Sequence, residues 1–349
     1  MSAGLTKTPF AKLITHSAPG ELRAALVDAE ARPSALFVQR WGGAGERARY
    51  GEISQARIRS FSDELSGGFV ELRSGEDAFL RLKSREGLSE GAILSVEIRS
   101  ERRGDKLARV SISDKPIDSQ SALQHWLSVF PGAALLEGTE DPIAIESAFS
   151  DIRVASSVLT GGGRLSVEQT RALLAIDIDT AGRTGTGSAG ARALKINQAA
   201  IIEMARQISI RGLGGLVVLD CVGPLNNAAS DRIRQAARSA FELYAVPQAK
   251  VLKPSALGLL EASIPWRFMP VAEQIQKNPA ETELLDLLRE IQRAAQSEPM
   301  ALYTLTLGGA VWSAYQSRKS DLAASLETHL GGRVQISKSS DGKSEFRPR

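Results

Sequence analysis

The chain has 349 residues, 43% of them hydrophobic and 24% charged, with a formal net charge of +3, a balance that suits two or three folded subdomains and excludes a polycation. Its single cysteine, Cys221, excludes a disulfide framework, and His16, His125 and His329 are too few and too scattered for a structural zinc cluster, so a reducing cytoplasm is expected. No apolar run approaches the roughly 18 residues of a membrane helix, so neither secretion nor a membrane partner is expected.

Residues 21–40 read as two short apolar strands around a turn at Arg32-Pro33, a start that suits a sheet edge. From about Arg47 to Ser113 five short alternating strands follow, separated by glycine and acidic turns, and this spacing favours a small closed barrel of the OB kind. Phe69 and Phe79 fall on successive strands of it. Their default reading is core, although such barrels also display aromatics for base stacking. Residues 115–150 form a connector with Pro116, Pro131 and Pro142 and a helix around 121–130.

The pattern then changes. An apolar strand at 172–179 ends in acids, a glycine-rich loop follows, and the segment 191–211 has helical spacing with Gly212, Gly214 and Gly215 to stop it. A second strand ends in Asp220, which makes a right-handed parallel crossover of strand, helix and strand. Another helix is expected over about 228–243 and a strand near 249–253. From Ile264 onward the sequence predicts a linker, a helix over about 281–296, a strand at 301–307, a helix over 309–330 that breaks near Lys319, and a last strand at 333–338.

Residues 81–109 carry eight basic against five acidic side chains and the tail from Arg333 carries five against two. Each excess is a modest phosphate-attracting patch or ordinary solvated charge. The sharper signal is carboxylate. Asp177 and Asp179 share one strand face and Asp220 ends the strand expected beside them. Three carboxylates converging at the carboxyl ends of parallel strands repel one another unless a cation sits between them, and an all-oxygen set suits Mg²⁺ or Mn²⁺ rather than zinc. The alternative for any one aspartate is a cap on the following loop or helix. With basic surface nearby, such a metal site points to a phosphodiester substrate. The glycines at 185–190 also match a dinucleotide fingerprint, but Gly185 lies six residues past Asp179 and Ala191 and Arg192 stand where a phosphate-loop lysine would.

The runs LLAIDIDTAGRTG and ALKINQAAIIEMARQISIRGLGGLVVLD resemble the catalytic core of the ribonuclease E/G family. ELRAALVDAE, GGFVELRSGEDAFL, ERRGDKLARVSI, PIAIESAFSDIRVASSVLTGGGRLSVEQT, SALGLLEAS and ETELLDLLREIQ through GGRVQIS extend that likeness over nearly the whole chain. The resemblance implies an α/β and α+β architecture. An RNase H-like subdomain is split over 1–40 and 115–152, an S1-type OB barrel is inserted at 41–114, a DNase I-like catalytic subdomain covers 153–265, and a small α+β domain covers 266–349. It further implies a Mg²⁺-dependent endoribonuclease, with Mn²⁺ as a substitute, that cuts single-stranded RNA to leave 5′-phosphate and 3′-hydroxyl ends. By motif position Asp177 and Asp220 take the metal-ligand aspartates, Asp179 stands beside them in the catalytic set where the family usually has asparagine, and Phe69, Phe79 and Lys106 take the RNA-contacting positions.

Three departures from the family pattern stand out. The stretch between the barrel and IESAFS is too short for the 5′-end sensing domain. The Cys-x-x-Cys zinc link is replaced by IPWRFMPVAEQ, so no zinc and no zinc-linked dimer are expected, which leaves other oligomers open. Basic side chains are lost at Ala256 and Ile264. A catalytically weak or inactive RNA-binding paralogue on the same scaffold is the alternative.

Overall fold

A computed structural model describes residues 8–41, 47–82, 84, 87–117, 120–181, 187–246 and 248–349. Strands β1 (Lys12–Ala18), β2 (Glu21–Val27) and β3 (Pro33–Arg40) form an antiparallel meander. The expected pair around Arg32-Pro33 is β2 and β3, but β2 lies inside the sheet, because β1 covers its other edge. The chain then makes β4 (Ile53–Ser62), β5 (Gly67–Leu72), β6 (Asp77–Arg81), β7 (Ile93–Ser100) and β8 (Ala108–Ile112), which close into a barrel in the order β4-β5-β6-β8-β7. Inward-facing Ile58, Val70, Leu72, Ala78, Leu80, Val96, Ile98 and Val110 fill it, as the period of two along each strand requires. This is the OB-like barrel that the punctuation of short strands predicts.

Helix α1 (Ala122–Ser128) follows, entered through a capping box in which Ser121 and Gln124 satisfy each other's backbone N–H groups. Strand β9 (Gly138–Glu140) then returns to the first sheet, pairing parallel with β1, and α2 (Pro142–Asp151) packs Ile145, Ala148 and Phe149 against it. The largest sheet holds β10 (Ser156–Val158), β11 (Arg164–Gln169) and β12 (Leu173–Asp179). Helix α3 (Ala189–Arg211) crosses to β13 (Gly215–Asp220), and α4 (Asn227–Leu243), β14 (Lys250–Val251) and β15 (Leu259–Ile264) complete the layer. The strand order is β10-β11-β12-β13-β15-β14, with β12 and β13 parallel as the crossover predicts. Helices α3 and α4 cover one face of this sheet, and Ile201, Met204, Ile208, Ile233 and Phe241 bury against Leu174, Ile176, Val217 and Leu219.

The segment expected to be a linker contains α5 (Val271–Gln276). Helix α6 (Pro279–Ser297), β16 (Tyr303–Leu307), α7 (Gly309–Leu330), β17 (Val334–Lys338) and β18 (Glu345–Pro348) form a last α+β layer with its own core. The expected break near Lys319 does not occur: α7 runs unbroken through it. Arg318 is held by Glu281 at 3.1 Å and lies over the Trp41 ring, while Leu322 is fully buried, so tertiary partners hold the charged turn helical. No helix among the described residues is long and apolar enough to cross a membrane.

Candidate active site and nucleic-acid interface

On β12 the side chains of Leu174, Ile176 and Ile178 are buried under α3, so Leu173, Ala175, Asp177 and Asp179 point to the opposite face. On β13 the same alternation buries Val217 and Leu219 and turns Leu216, Val218 and Asp220 outward. The last registered pair between these strands is Ile176 with Leu219, which makes Asp177 and Asp220 the next neighbours on the open face. Parallel strands lie roughly 4.8 Å apart, so the two carboxylates stand side by side at the carboxyl ends of adjacent strands. Both are exposed. Asp179, one pleat further along, caps the chain turn instead: its carboxylate accepts the Ala181 N–H at 2.8 Å. Among the described residues no group of three or more His, Cys, Asp and Glu side chains is arranged to hold a metal. The candidate site is the Asp177 and Asp220 pair, with Asp179 one pleat beyond it and bonded to the Ala181 N–H. A pair is the usual protein share of a Mg²⁺ site completed by water and substrate phosphate, and its oxygen-only donors suit a hard cation.

Two residues that the sequence reading passed over frame this pair. Arg164 on β11 is the cross-strand partner of Asp179, and its guanidinium is held by the Ser156 hydroxyl at 2.6 Å, which places a cation at the rim of the acidic face. Asn197, fully buried on α3, donates to the Val222 carbonyl and accepts the Val222 N–H, both at 2.9 Å, and so fixes the chain just past Asp220. Asn197→Leu leaves both backbone groups unpaired and is expected to cost about 1–3 kcal/mol of stability, read as a shift in the denaturant midpoint. An unchanged midpoint would show that water replaces the amide. Gly163 has φ +85°, and a Cβ there would sit 2.6 Å from the Asp179 carbonyl oxygen, so only glycine lets the β10–β11 hairpin approach the aspartate strand.

The positions expected to lose basic character separate in space. Ala256 lies exposed in the turn next to the Asp220 end of the sheet, whereas Ile264 is buried in the core opposite Gly215, at the far end of β13. The glycine loop at 182–186 lies outside the described residues, and so do Lys83, Arg85 and Glu86.

Phe69 and Phe79 are not core residues of the barrel. They are directly paired on β5 and β6, half-buried on its outer surface, with ring centroids 5.7 Å apart in an edge-to-face arrangement. Gly67 explains part of this, since a Cβ there would meet the Phe79 ring at 2.5 Å. From Phe79 a continuous track leads toward the aspartates. Phe79 pairs with Arg109 on β8, and Arg103 lies close enough to Arg109 that burial and then this neighbouring charge lower its pKa. The Arg103 guanidinium stacks on the Trp266 ring at 4.3 Å from its centroid. Trp266 in turn packs on Gly214 and Gly215 at the start of β13. The 265–273 segment also holds the barrel by backbone and carboxylate bonds: Glu101 donates its N–H to the Arg267 carbonyl at 2.8 Å, and its side chain accepts the Met269 N–H at 3.0 Å.

Between the barrel hairpin and this sheet lies a cleft of about 900 Å³, lined by Arg103, Lys106 and Arg171 against Asp105 and Glu273, with Leu173, Leu216 and Trp266 on its walls. Leu173 and Leu216 stand four residues before Asp177 and Asp220 on the same open face, so at about 3.3 Å per residue the cleft opens roughly 13 Å from the carboxylates.

The site thus joins a barrel with outward aromatics, a cleft of mixed charge and an oxygen-only carboxylate pair. Residues 135–264 match the model of the Ribonuclease E/G family. The chain is 38% identical over 124 residues to Ribonuclease E of Haemophilus influenzae, an overlap of 34% of this chain and 12% of that protein. Ribonuclease G of Escherichia coli K12 is 26% identical over 190 residues, covering 51% of this chain and 38% of its own. A chloroplastic Ribonuclease E/G-like protein of Arabidopsis thaliana is 32% identical over 104 residues, 29% of this chain and 10% of its own. The aligned regions thus span well under half the length of these relatives. A solved multidomain protein with nucleic acid binding domains from Streptococcus pneumoniae TIGR4, 11% identical over 45% of this chain, has a TM-score of 0.18, too low to bear on the fold.

Proposed function

We propose that the protein is a Mg²⁺-dependent endoribonuclease that cuts single-stranded RNA internally to 5′-phosphate and 3′-hydroxyl ends in the cytoplasm, with Mn²⁺ able to replace Mg²⁺. The observation that carries this reading is the pairing of Asp177 and Asp220 at neighbouring strand ends, on the sheet face whose Leu173 and Leu216 line the cleft. Phe69 and Phe79 offer stacking surfaces for bases, and Arg109, Arg103 and Lys106 hold the backbone along the track between barrel and sheet. Arg164 steadies a phosphate at the rim, and Asp177 and Asp220 supply the oxygen donors. A divalent ion bound by this pair would neutralise the charge developing at the scissile phosphate and lower the pKa of the attacking water. In the same reading the four-stranded sheet is the RNase H-like part, the six-stranded sheet the DNase I-like part and residues 266–349 the small terminal domain.

Incubation with end-labelled, unstructured RNA should give discrete internal cuts in Mg²⁺ and none in EDTA. Cutting that survives EDTA would refute the metal assignment, and tight binding without cutting would favour a non-catalytic RNA-binding protein. Phe79→Ala should weaken RNA binding by the roughly 1–3 kcal/mol of one base stack, with the thermal midpoint nearly unchanged because the ring lies outside the barrel core. Anisotropy of labelled RNA measures the first and a melting curve the second. Collapse of the fold would restore the core role.

A further inference from the structure

A cavity of about 240 Å³ lies where the barrel, the end of β3 and helices α5 and α7 meet, lined by none of the residues of the aspartate face. It far exceeds the roughly 10–15 Å³ that admits one water. Among the described residues, Arg40, Arg47, Arg49, Lys277 and Arg318 line it against one acid, Glu76. Neighbours answer only some of this charge. Arg40 donates Nε to Glu21 at 2.9 Å and Nη1 to Thr282 at 3.1 Å, while its Nη2 is buried with no acceptor among the described residues. Arg49 donates Nη2 to the Val38 carbonyl at 3.1 Å and lies over the Phe37 ring, and its Nε is buried in the same way. Arg47 is paired with Glu101 at 3.6 Å and Arg318 with Glu281 at 3.1 Å. Among the described residues no carboxylate pairs with Arg49 or Lys277. Glu76 is fixed to the wall by the Ala48 N–H at 2.6 Å and leaves the excess positive.

The cationic side chains on the wall outnumber the acid among its described residues, and an oxyanion with several lone pairs can answer more than one of them at once. Planar guanidinium forks match phosphate oxygens better than they match a halide or a lone carboxylate. We infer that this cavity binds a phosphate monoester group, carried either by a free nucleotide or by the end of an RNA chain. The inference stands apart from the cleavage reading, since the cavity shares no residue with the aspartate pair.

Titration calorimetry of the full chain with inorganic phosphate, a nucleoside 5′-monophosphate, and a short RNA with and without a 5′-phosphate tests it. Saturable binding of the phosphate-bearing probes is expected, at least tenfold weaker in Lys277→Gln and in Arg49→Gln. The exposed Lys277 side chain makes its variant safe for the fold, and Arg49→Lys should recover part of the affinity by restoring the charge. Asp220→Asn, outside the cavity, should take up inorganic phosphate as the wild type does. The mononucleotide binding more tightly than the phosphorylated RNA, or the reverse, upholds the site and identifies the carrier. No saturable binding, binding indifferent to Lys277 and Arg49, or inorganic phosphate binding lost in Asp220→Asn would overturn it.

Discussion

Asp220→Asn should slow RNA cleavage by about 10²–10³ at fixed Mg²⁺, the rate equivalent of the several kcal/mol that a positioned cation contributes to a charged transition state. The substitution keeps the size of an exposed side chain at a strand end, so the fold should hold. RNA binding should hold as well or tighten, because the change removes a negative charge from a face that a polyanion must approach. Asp177→Asn should match it, and the double variant should be little worse than either, as expected of two groups that act as one site. Asp179→Asn should behave differently. Its amide oxygen can still accept the Ala181 N–H, and the lost charge eases the approach of RNA, so cleavage should stay level or rise. Single-turnover rates beside binding constants separate these effects. An Asp220→Asn enzyme within threefold of wild type would move the chemistry elsewhere.

The acidity of the sheet face is itself informative. Glu168, Asp177, Asp179, Asp220 and Glu261 share the side that the helices leave open, with Arg164 and Lys250 as the cations on its strands. Left to Coulomb forces, RNA would avoid this surface. Affinity must then come from the barrel track and the cleft. The 265–273 segment ties the barrel to the sheet in that arrangement. Trp266 joins Arg103 of the barrel to Gly214 and Gly215 of the sheet, and Glu101 anchors the hairpin to Arg267 and Met269.

The strand, helix, strand unit around Asp177 and Asp220 was legible because each signal is local: an apolar run, helical spacing, a glycine stop; the Ser188 cap, which starts the helix at Ala189, was passed over. The barrel was legible for the same reason. What escaped depends on partners distant in the chain. Strand β9 has three exposed residues and no pattern, and it is a strand only because β1 offers an edge. Strand β10 is as short, and β15 is defined by the slot between β13 and β14, of which only β14 was expected, near 249–253. The outward aim of Phe69 and Phe79 could have been read from the alternation with Val70 and Leu72 and with Ala78 and Leu80. The stack of Arg103 on Trp266 and the clamp of Asn197 on Val222 could not, since neither leaves a spacing that one sequence displays.

The largest stability effect should come from Glu21→Gln. The Glu21 side chain is fully buried and receives Arg23 at 2.8 Å, Arg40 at 2.9 Å and Arg289, while Glu146 and Asp286 supply further charge to Arg23 and Arg289. Arg23 and Arg289 are themselves almost wholly buried. Neutralising Glu21 strands these guanidiniums and sets amide N–H groups against guanidinium N–H groups, an effect of about 3–5 kcal/mol for a broken buried ion pair. The network joins β2 to α6, so its loss should loosen the C-terminal layer from the first sheet. Burial alone would raise the Glu21 carboxyl pKa, but the charges of Arg23, Arg289 and Arg40 outweigh it and hold it below the usual carboxylate range. A depressed folded-state value means that the stabilisation is fully present above the unfolded-state pKa, about 4.3 for a glutamate, and is lost as pH falls through the folded value. The wild type should therefore lose stability on acidification below about pH 4, whereas Glu21→Gln should be weak at neutral pH and fall less steeply in acid. Urea midpoints at pH 7, 5 and 3.5, at unchanged m-value, decide it. A variant within 1 kcal/mol of wild type at pH 7 would mean that Glu146 and Asp286 suffice to hold the arginines.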